Sequence, residues 1–144
     1  MGTRSTIAVQ LEDGSVSQVY CHWDGYLSYN GRILQEHYKD RDAAIALVQL
    51  GDMSSLGQRV VPNGPHSFDK AEEGTTVYYG RDRGEKGCEP RTFNSLASYL
   101  RNFQDEEYNY LFRNGRWEVI SYATNDQWVD LQEALEREAA REAE

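Results

Sequence analysis

Residues 107–122, EYNYLFRNGRWEVISY, contain the clearest β-hairpin signal in the chain. Two runs rich in aromatic and β-branched residues flank Asn114-Gly115. An Asn-Gly pair supplies the positive φ angles that a tight primed turn requires. The segment therefore predicts two antiparallel strands, Glu107–Phe112 and Arg116–Tyr122, within one sheet.

A second hairpin is predicted near the other end of the chain. Residues 5–11 alternate between apolar and polar side chains, residues 12–15 have turn composition, and Val16–Trp23 resumes the strand pattern. Because successive strand residues point to opposite sides of a sheet, Cys21 and His22 are expected to face opposite sides. That geometry argues against a Cys–His dyad made from these two neighbours.

Helical spacing and capping residues appear between and after the hairpins. The first two predicted helices are Gly31–Tyr38 and Ala43–Leu50, the second of them capped by Asp40 or Asp42. A third helix is capped by Thr92 and has Phe93, Leu96, Leu100 and Phe103 on one face. The fourth is an acidic C-terminal helix over about 125–143, which begins with a capping box at Thr124–Gln127. Thr75–Gly80 is predicted as a strand, Arg81–Arg91 as a charged loop, and Gln58–Val61 as a short additional strand.

The order of these elements predicts an α+β fold. It consists of an antiparallel sheet built from hairpins, with helices packed mainly on one face. We find no internal repeat beyond the hairpins and no linker composition that would split residues 1–144, so the sequence predicts one domain.

Composition indicates where such a protein would work. Two cysteines do not make a disulfide framework, and no apolar run approaches the ~20 residues that span a bilayer. We therefore expect a cytoplasmic protein with no membrane partner.

The net charge of −9 is concentrated in the last part of the chain. Residues 1–103 carry 13 acids and 11 bases, whereas residues 104–144 carry 11 acids and 4 bases. Such a surface repels phosphate backbones, which argues against direct nucleic-acid binding, and it attracts basic protein surfaces. The alternative is an ordinary solvated helix face. The acidic partner-binding candidates are Asp105, Glu106, Glu107, Glu133 and Glu136.

The motif YGRDRGE, residues 79–85, is the first candidate site. Arg81 and Arg83 are candidates for holding a phosphate or carboxylate, with Asp82 and Glu85 as neutralising partners or as acid and base. The alternative is a solvated loop with local ion pairs that contribute ~0–1 kcal/mol each. Neither a Walker loop nor a dinucleotide-binding fingerprint is present.

The motif CHWDGY, residues 21–26, is the second candidate site. His22, Asp24 and Tyr26 are its binding candidates, and His22 beside Asp24 would suit an oriented acid–base pair. Cys21 would be a nucleophile if a base approached from its own face. The alternative places Cys21 and Trp23 in the core, with Asp24 in a turn.

Metal and cofactor sites are not predicted. The three histidines, His22, His37 and His66, have no metal-ligand spacing, and no Cys-x-x-Cys or nucleophile elbow occurs. His66 is expected in a surface loop.

Four motifs together resemble a family of small proteins encoded by bacteriophages and mobile elements. They are the opening MGTRSTI, CHWDGY with Asn30-Gly31, HSFD at residues 66–69, and YGRDRGE, and the likeness covers roughly residues 1–120. The resemblance brings no catalytic residue with it. It implies a phage accessory gene, and small acidic phage proteins often disable host machinery, including CRISPR effectors.

Three functional hypotheses follow. The favoured one is a non-catalytic protein that binds and inhibits a host protein or complex as a counter-defence factor, such as an anti-CRISPR. The second is a small enzyme or sequestering protein for an anionic small molecule such as a nucleotide signal, with Arg81, Arg83, His22 and Asp24 in one pocket. The third is a structural phage domain with no discrete pocket. The oligomeric state is left open.

Overall fold

The computed structural model describes residues 2–143 and forms an α+β fold. Its strands are β1 (Ser5–Gln10), β2 (Val16–Cys21), β3 (Met53–Ser55), β4 (Val77–Tyr78), β5 (Arg91–Phe93), β6 (Tyr108–Arg113), β7 (Arg116–Ser121) and β8 (Val129–Asp130). Its helices are α1 (Arg32–His37), α2 (Arg41–Val48), α3 (Tyr79–Arg83), α4 (Leu96–Asn102) and α5 (Leu131–Glu142), with a π-helical turn at Leu27–Gly31 and a 3₁₀ turn at Tyr122–Thr124.

All eight strands belong to one open sheet in the order β4-β3-β2-β1-β6-β7-β8, with β5 paired to β2. The two predicted hairpins are present as the antiparallel pairs β1–β2 and β6–β7. The turn of the second hairpin has positive φ at both central residues, 54° at Asn114 and 77° at Gly115, as a primed turn requires.

The expectation of an antiparallel sheet is wrong, because the sheet is mixed. The two hairpins join through their first strands, and β1 runs parallel to β6; β2 also pairs in parallel with β3. A parallel pair needs a long connection that returns the chain to the same end of the sheet. Here the connection between β1 and β6 contains several other elements, so no local pattern could specify the direction.

Helices lie on both faces of the sheet, with more of them on one face. The larger core cluster packs α1, α2 and α5 against the sheet through residues such as Leu34, Leu47 and Leu131. The smaller cluster lies on the other face, where Tyr99 of α4 packs with Leu111 of β6.

The predicted strand at Thr75–Gly80 is shorter than expected, since only Val77–Tyr78 pairs in the sheet. Residues 79–83 turn into α3, because the Asp82 carboxylate accepts the Tyr78 N–H at 2.8 Å and draws the backbone into a helical turn. The helix ends at Gly84, whose φ of 71° is in the left-handed region.

The predicted loop over Arg81–Arg91 is therefore wrong at both ends, as Arg91 begins β5. The helix expected from Thr92 begins at Leu96 instead, because the Ser95 hydroxyl caps it by accepting the Ser98 N–H. The four apolar residues of that prediction still pack on one cluster. The short strand expected at Gln58–Val61 is reduced to a single bridge between Arg59 and Thr75.

The C-terminal helix is shorter than the expected 125–143. Asp130 caps it by accepting the Glu133 N–H at 3.1 Å, so α5 begins at Leu131. The capping box predicted at Thr124–Gln127 is wrong, because Thr124 forms a capping box with Ser121 around the 3₁₀ turn. Among residues 2–143, no helix combines the length and the apolar character that crossing a bilayer requires.

Candidate functional site

Residues 22–26 of the CHWDGY motif form the first part of what we call the aromatic turn, residues 22–31, which connects β2 to α1. It exposes three large aromatic side chains, with 43% of Trp23, 38% of Tyr26 and 40% of Tyr29 accessible to solvent. The interpretation that placed Trp23 in the core is therefore wrong, although Cys21 is buried. Strand β2 ends at Cys21, so the alternation that predicted a buried Trp23 no longer applies.

The backbone of the aromatic turn is held in an unusual conformation. Asp24 has a φ of 58°, in the left-handed region that non-glycine residues rarely adopt. Gly25 follows, and its N–H donates to the Thr3 carbonyl at 2.8 Å. A Cβ at Gly25 would lie 2.6 Å from Ser5 Cβ, so this close approach requires glycine. The turn is thus fixed against the start of the sheet.

The buried side-chain amide of Asn30 stabilises the aromatic turn. Asn30 is fully buried, and its Nδ2 lies within hydrogen-bonding distance of Ser5 Oγ at 3.3 Å, Cys21 Sγ at 3.4 Å and the Trp23 carbonyl at 3.3 Å. Its Oδ1 has no hydrogen-bond partner among the described residues. Asn30 belongs to the π-helical turn, and both π-turns and retained local strain recur at functional sites.

His22 and Asp24 do not form the expected acid–base pair. The Nδ1 atom of His22 lies 2.8 Å from the Tyr20 hydroxyl, and the imidazole packs edge-on against Trp23 with ring centroids 4.8 Å apart. The hydrogen-bond partner of His22 is therefore Tyr20 and not Asp24. His22 follows the last residue of β2, and its imidazole lies beside Tyr20, which precedes the buried Cys21 in that strand.

Neither cysteine is suited to nucleophilic chemistry. Burial raises the pKa of the Cys21 thiol to about 12. The pKa of the Cys88 thiol is also raised, first by burial and then by the neighbouring carboxylates of Glu85 and Asp52. Both thiols are therefore protonated near neutral pH, and a thiol is a weak nucleophile.

In the YGRDRGE motif, the guanidinium of Arg81 is hydrogen-bonded to the protein through all three of its nitrogens. It donates to Asp82 Oδ1 at 2.8 Å, to the Thr76 carbonyl at 2.8 Å and to the Val60 carbonyl at 2.5 Å. It also lies 4.8 Å from the ring centroid of Tyr78. Four of its five N–H donors therefore have acceptors within the protein, so this side chain mainly connects neighbouring segments and keeps one N–H of Nη1 for a phosphate.

Asp82 connects this motif to the HSFD motif. The expectation of a surface position for His66 is wrong, because only 3% of its side chain and 5% of the Asp82 side chain are exposed. His66 Nε2 lies 3.2 Å from Asp82 Oδ2 in a close polar contact, and His66 Nδ1 accepts the Glu72 N–H at 2.9 Å. We call this pair the His66–Asp82 clip. Because Nδ1 already accepts the Glu72 N–H and Nε2 is buried against Asp82, His66 has no accessible ring nitrogen that could act as a general base.

The electrostatics of Asp82 fit this structural role. Burial acts to raise the pKa of its carboxyl group, but the hydrogen bonds from Arg81 and from the Tyr78 N–H, together with the His66 contact, outweigh it. The net result is a lowered pKa, so Asp82 is ionised at neutral pH.

Arg83 and Glu85 are the more accessible members of the motif. Arg83 donates to Glu85 Oε2 at 2.6 Å, and about half of each side chain is exposed. The guanidinium stacks on Phe68 at 4.3 Å and on Tyr79 at 5.1 Å from the ring centroids. Phe68 belongs to the HSFD motif, so this contact fastens the same loop that the clip holds.

The two predicted site motifs lie on either side of β3. The Trp23 N–H donates to the Ser54 carbonyl at 3.0 Å, and the Tyr79 N–H donates to the Asp52 carbonyl at 3.2 Å. They are therefore neighbours at one edge of the sheet. Arg81, however, lines a cavity of about 420 Å³ whose walls include Leu50 and Cys88. No residue of the aromatic turn lines this cavity.

The structure brings together three of the five acidic candidates. Asp105, Glu106 and Glu107 line a cleft of about 460 Å³ with Asp126 and Tyr122. We call it the acidic cleft. Glu133 and Glu136 lie apart from it on α5, which packs on the opposite face of the sheet.

The acidic cleft is organised by Asn109, a buried residue of β6. Its Oδ1 accepts the Glu106 N–H at 3.0 Å and its Nδ2 donates to Asp105 Oδ1 at 2.8 Å. At the rim, 90% of Tyr122 is exposed. Tyr122 and Asp126 are not among the candidates predicted from the sequence. The feature that could have indicated them is Ser121, the capping residue that ends β7 directly before Tyr122.

No group of three or more potential metal ligands occurs among residues 2–143. Comparison of the chain with protein-family models, with curated proteins and with solved structures finds no match. The resemblance to small bacteriophage proteins therefore stays a prediction.

Proposed function

We propose that this chain is a small acidic accessory protein of the phage type that binds a host protein and inhibits it. Its target would be a component of a host defence system, such as a CRISPR effector complex, in the host cytoplasm. The observation that carries the proposal is the aromatic turn, which exposes Trp23, Tyr26 and Tyr29 within seven consecutive residues.

Exposed aromatic side chains on a fixed backbone suit protein recognition. Trp and Tyr are enriched among the residues that contribute most to binding free energy at interfaces. Binding also costs less conformational entropy when the contact residues are ordered beforehand. The Gly25 hydrogen bond to Thr3 and the buried Asn30 amide supply that order.

The acidic cleft supports the same proposal by a different effect. Clustered carboxylates accelerate encounter with a basic protein surface, and the acceleration weakens as salt screens the charges. Tyr122 at the rim adds an aromatic contact beside them. We therefore expect association with the host protein to be faster at low ionic strength.

The alternative of a small enzyme or a sequestering protein has less support. The guanidinium of Arg81 is mostly engaged within the protein, the His66 ring is buried with its Nδ1 accepting the Glu72 N–H, and both thiols have raised pKa values. Arg83 is the candidate that keeps an accessible guanidinium, and it is paired with Glu85.

The test is a native affinity pull-down from bacterial lysate with three forms of the tagged protein, read by mass spectrometry. These are the wild type, the double variant Tyr26→Ala/Tyr29→Ala, and Leu50→Ala as a control at an exposed apolar residue outside the turn. We expect a stoichiometric protein partner with the wild type and the control, and its loss with the double variant. The purified partner should also lose activity when the wild-type protein is added.

Two results would count against the proposal. One is equal capture by the wild type and the double variant, because the aromatic turn would then not be the binding surface. The other is a bound nucleotide-sized molecule without a protein partner, which would favour the sequestering alternative instead.

A further inference from the structure

A cavity of about 360 Å³ lies beside α5, between this helix, the 3₁₀ turn and the beginning of the π-helical turn. Its apolar walls include Leu27, Val129, Ala134 and Ala140. Leu27 and Ala134 are also members of the main core cluster, so the floor of the cavity is as well fixed as the core itself. The volume is within the range of pockets that bind small molecules.

Two arginines line the same cavity from α5. Arg137 and Arg141 are separated by one helical turn, and the guanidinium of Arg137 is paired with Glu133. Among residues 2–143, no ion pair involves Arg141. The lining thus combines apolar side chains with a cationic one, beside the polar Thr124 and Asn125, and this combination favours a ligand that has an apolar body and one anionic group.

We propose that this cavity, the α5 pocket, binds a small amphiphilic anion, that is, an apolar chain or ring system with one carboxylate or sulfonate group. The apolar body contacts Leu27, Val129 and Ala134, and Arg141 receives the anionic group. Guanidinium pairs well with such groups because its fork of N–H donors matches their oxygens. This inference goes beyond the proposed function, since no protein partner is involved.

The pocket is tested on the purified protein with named probes. The fluorescent anion 8-anilinonaphthalene-1-sulfonate is titrated first, and octanoate and octan-1-ol then compete with it. We expect one saturable site, and about tenfold stronger competition by octanoate than by octanol, as one charge-assisted hydrogen bond would give. Near-ultraviolet circular dichroism confirms that the protein stays folded throughout.

Two variants separate the contributions of charge and cavity. Arg141→Gln should weaken octanoate about tenfold and leave octanol unchanged, because only the anion uses the guanidinium. Ala140→Trp should abolish both, since an indole at this exposed helix position occupies the cavity. The matched control is Ala97→Trp at an exposed position of α4, which should bind as the wild type does.

Several outcomes would overturn the assignment. Absence of saturable binding to the folded wild type would do so, as would undiminished binding by Ala140→Trp. Equal affinities for octanoate and octanol would remove the anionic specificity. A further contrary result is that the wild type binds no probe while Ala140→Trp no longer binds a protein partner. The α5 pocket would then hold a side chain of that partner and not a small anion. None of these variants changes Trp23, Tyr26 or Tyr29, so failure here is distinct from failure of the proposed function.

Discussion

The hydroxyl of Tyr110 donates a 2.6 Å hydrogen bond to the carbonyl of Gly25, which fastens the second hairpin to the aromatic turn. Tyr110 is fully buried, and burial raises the pKa of its phenol well above the usual value, so the hydroxyl remains a donor. The exposed aromatic side chains are therefore presented by a backbone whose position depends on β6, far away in the sequence.

Removal of this hydroxyl should destabilise the protein. In Tyr110→Phe the buried Gly25 carbonyl loses its donor, which is expected to lower the free energy of unfolding by about 1–3 kcal/mol. Urea denaturation measures the change. The control is Tyr108→Phe, because the partly exposed Tyr108 ring stacks on Tyr110 at 6.5 Å and its loss of a hydroxyl leaves Gly25 bonded. Equal stability of the two variants would contradict the role given to the Tyr110 hydroxyl.

The close approach at Gly25 gives a second prediction. An alanine Cβ there would lie 2.6 Å from Ser5 Cβ and 2.9 Å from the Thr3 carbonyl oxygen. Because a backbone carbonyl cannot rotate away, Gly25→Ala should cost about 1–3 kcal/mol of stability. Gly80→Ala is the control, since its nearest neighbour would be 3.7 Å away. Scanning calorimetry should show a lower melting temperature only for Gly25→Ala, and an equal melting temperature for the two variants would contradict the effect of the close approach.

Local chemistry made part of the fold predictable from the sequence. The Asn114-Gly115 turn and the alternation in both hairpins depend on neighbouring residues, and so does the Asp40 cap of α2, whose side chain accepts the Ala43 N–H. The parallel pairing of β1 with β6 depends on contacts between distant parts of the chain. The sequence carries no local signal for that direction.

The candidate sites show the same division. The sequence identified the motifs that contain His66 and Asp82, but not their contact, which gives the HSFD and YGRDRGE motifs a shared structural role. It also grouped Glu133 with Asp105 by charge alone, whereas the fold places them on opposite sides of the sheet. Composition gives the number of charged residues, whereas only the fold determines which of them lie close together.

The His66–Asp82 clip is expected to stabilise the loop of residues 58–75 in particular. Asp82→Asn removes the charge that Arg81, the Tyr78 N–H and His66 all contact, so we expect a loss of about 2 kcal/mol or more. Hydrogen exchange should increase at amides of residues 58–75 while the β6–β7 hairpin stays protected. Glu85→Gln is the control, because an exposed ion pair contributes only ~0–1 kcal/mol. Comparable losses in both variants would show that the burial of Asp82 has no special effect.

The same loop should weaken in acid through Glu72. Its pKa is lowered from 4.5 to about 2, mainly because its carboxylate accepts hydrogen bonds from the Thr75 hydroxyl at 2.6 Å and the Asn63 N–H at 2.9 Å, with a further contribution from Arg59. Since the pKa is lower in the folded state, this stabilisation is complete above about pH 4.5 and is lost as the pH falls towards 2. Urea denaturation across this range should therefore show Glu72→Gln less stable than the wild type at neutral pH, with the difference shrinking in acid. Glu12→Gln, in the exposed β1–β2 turn, controls for the loss of one charge. A difference that stays constant with pH would mean that ionised Glu72 does not stabilise the loop.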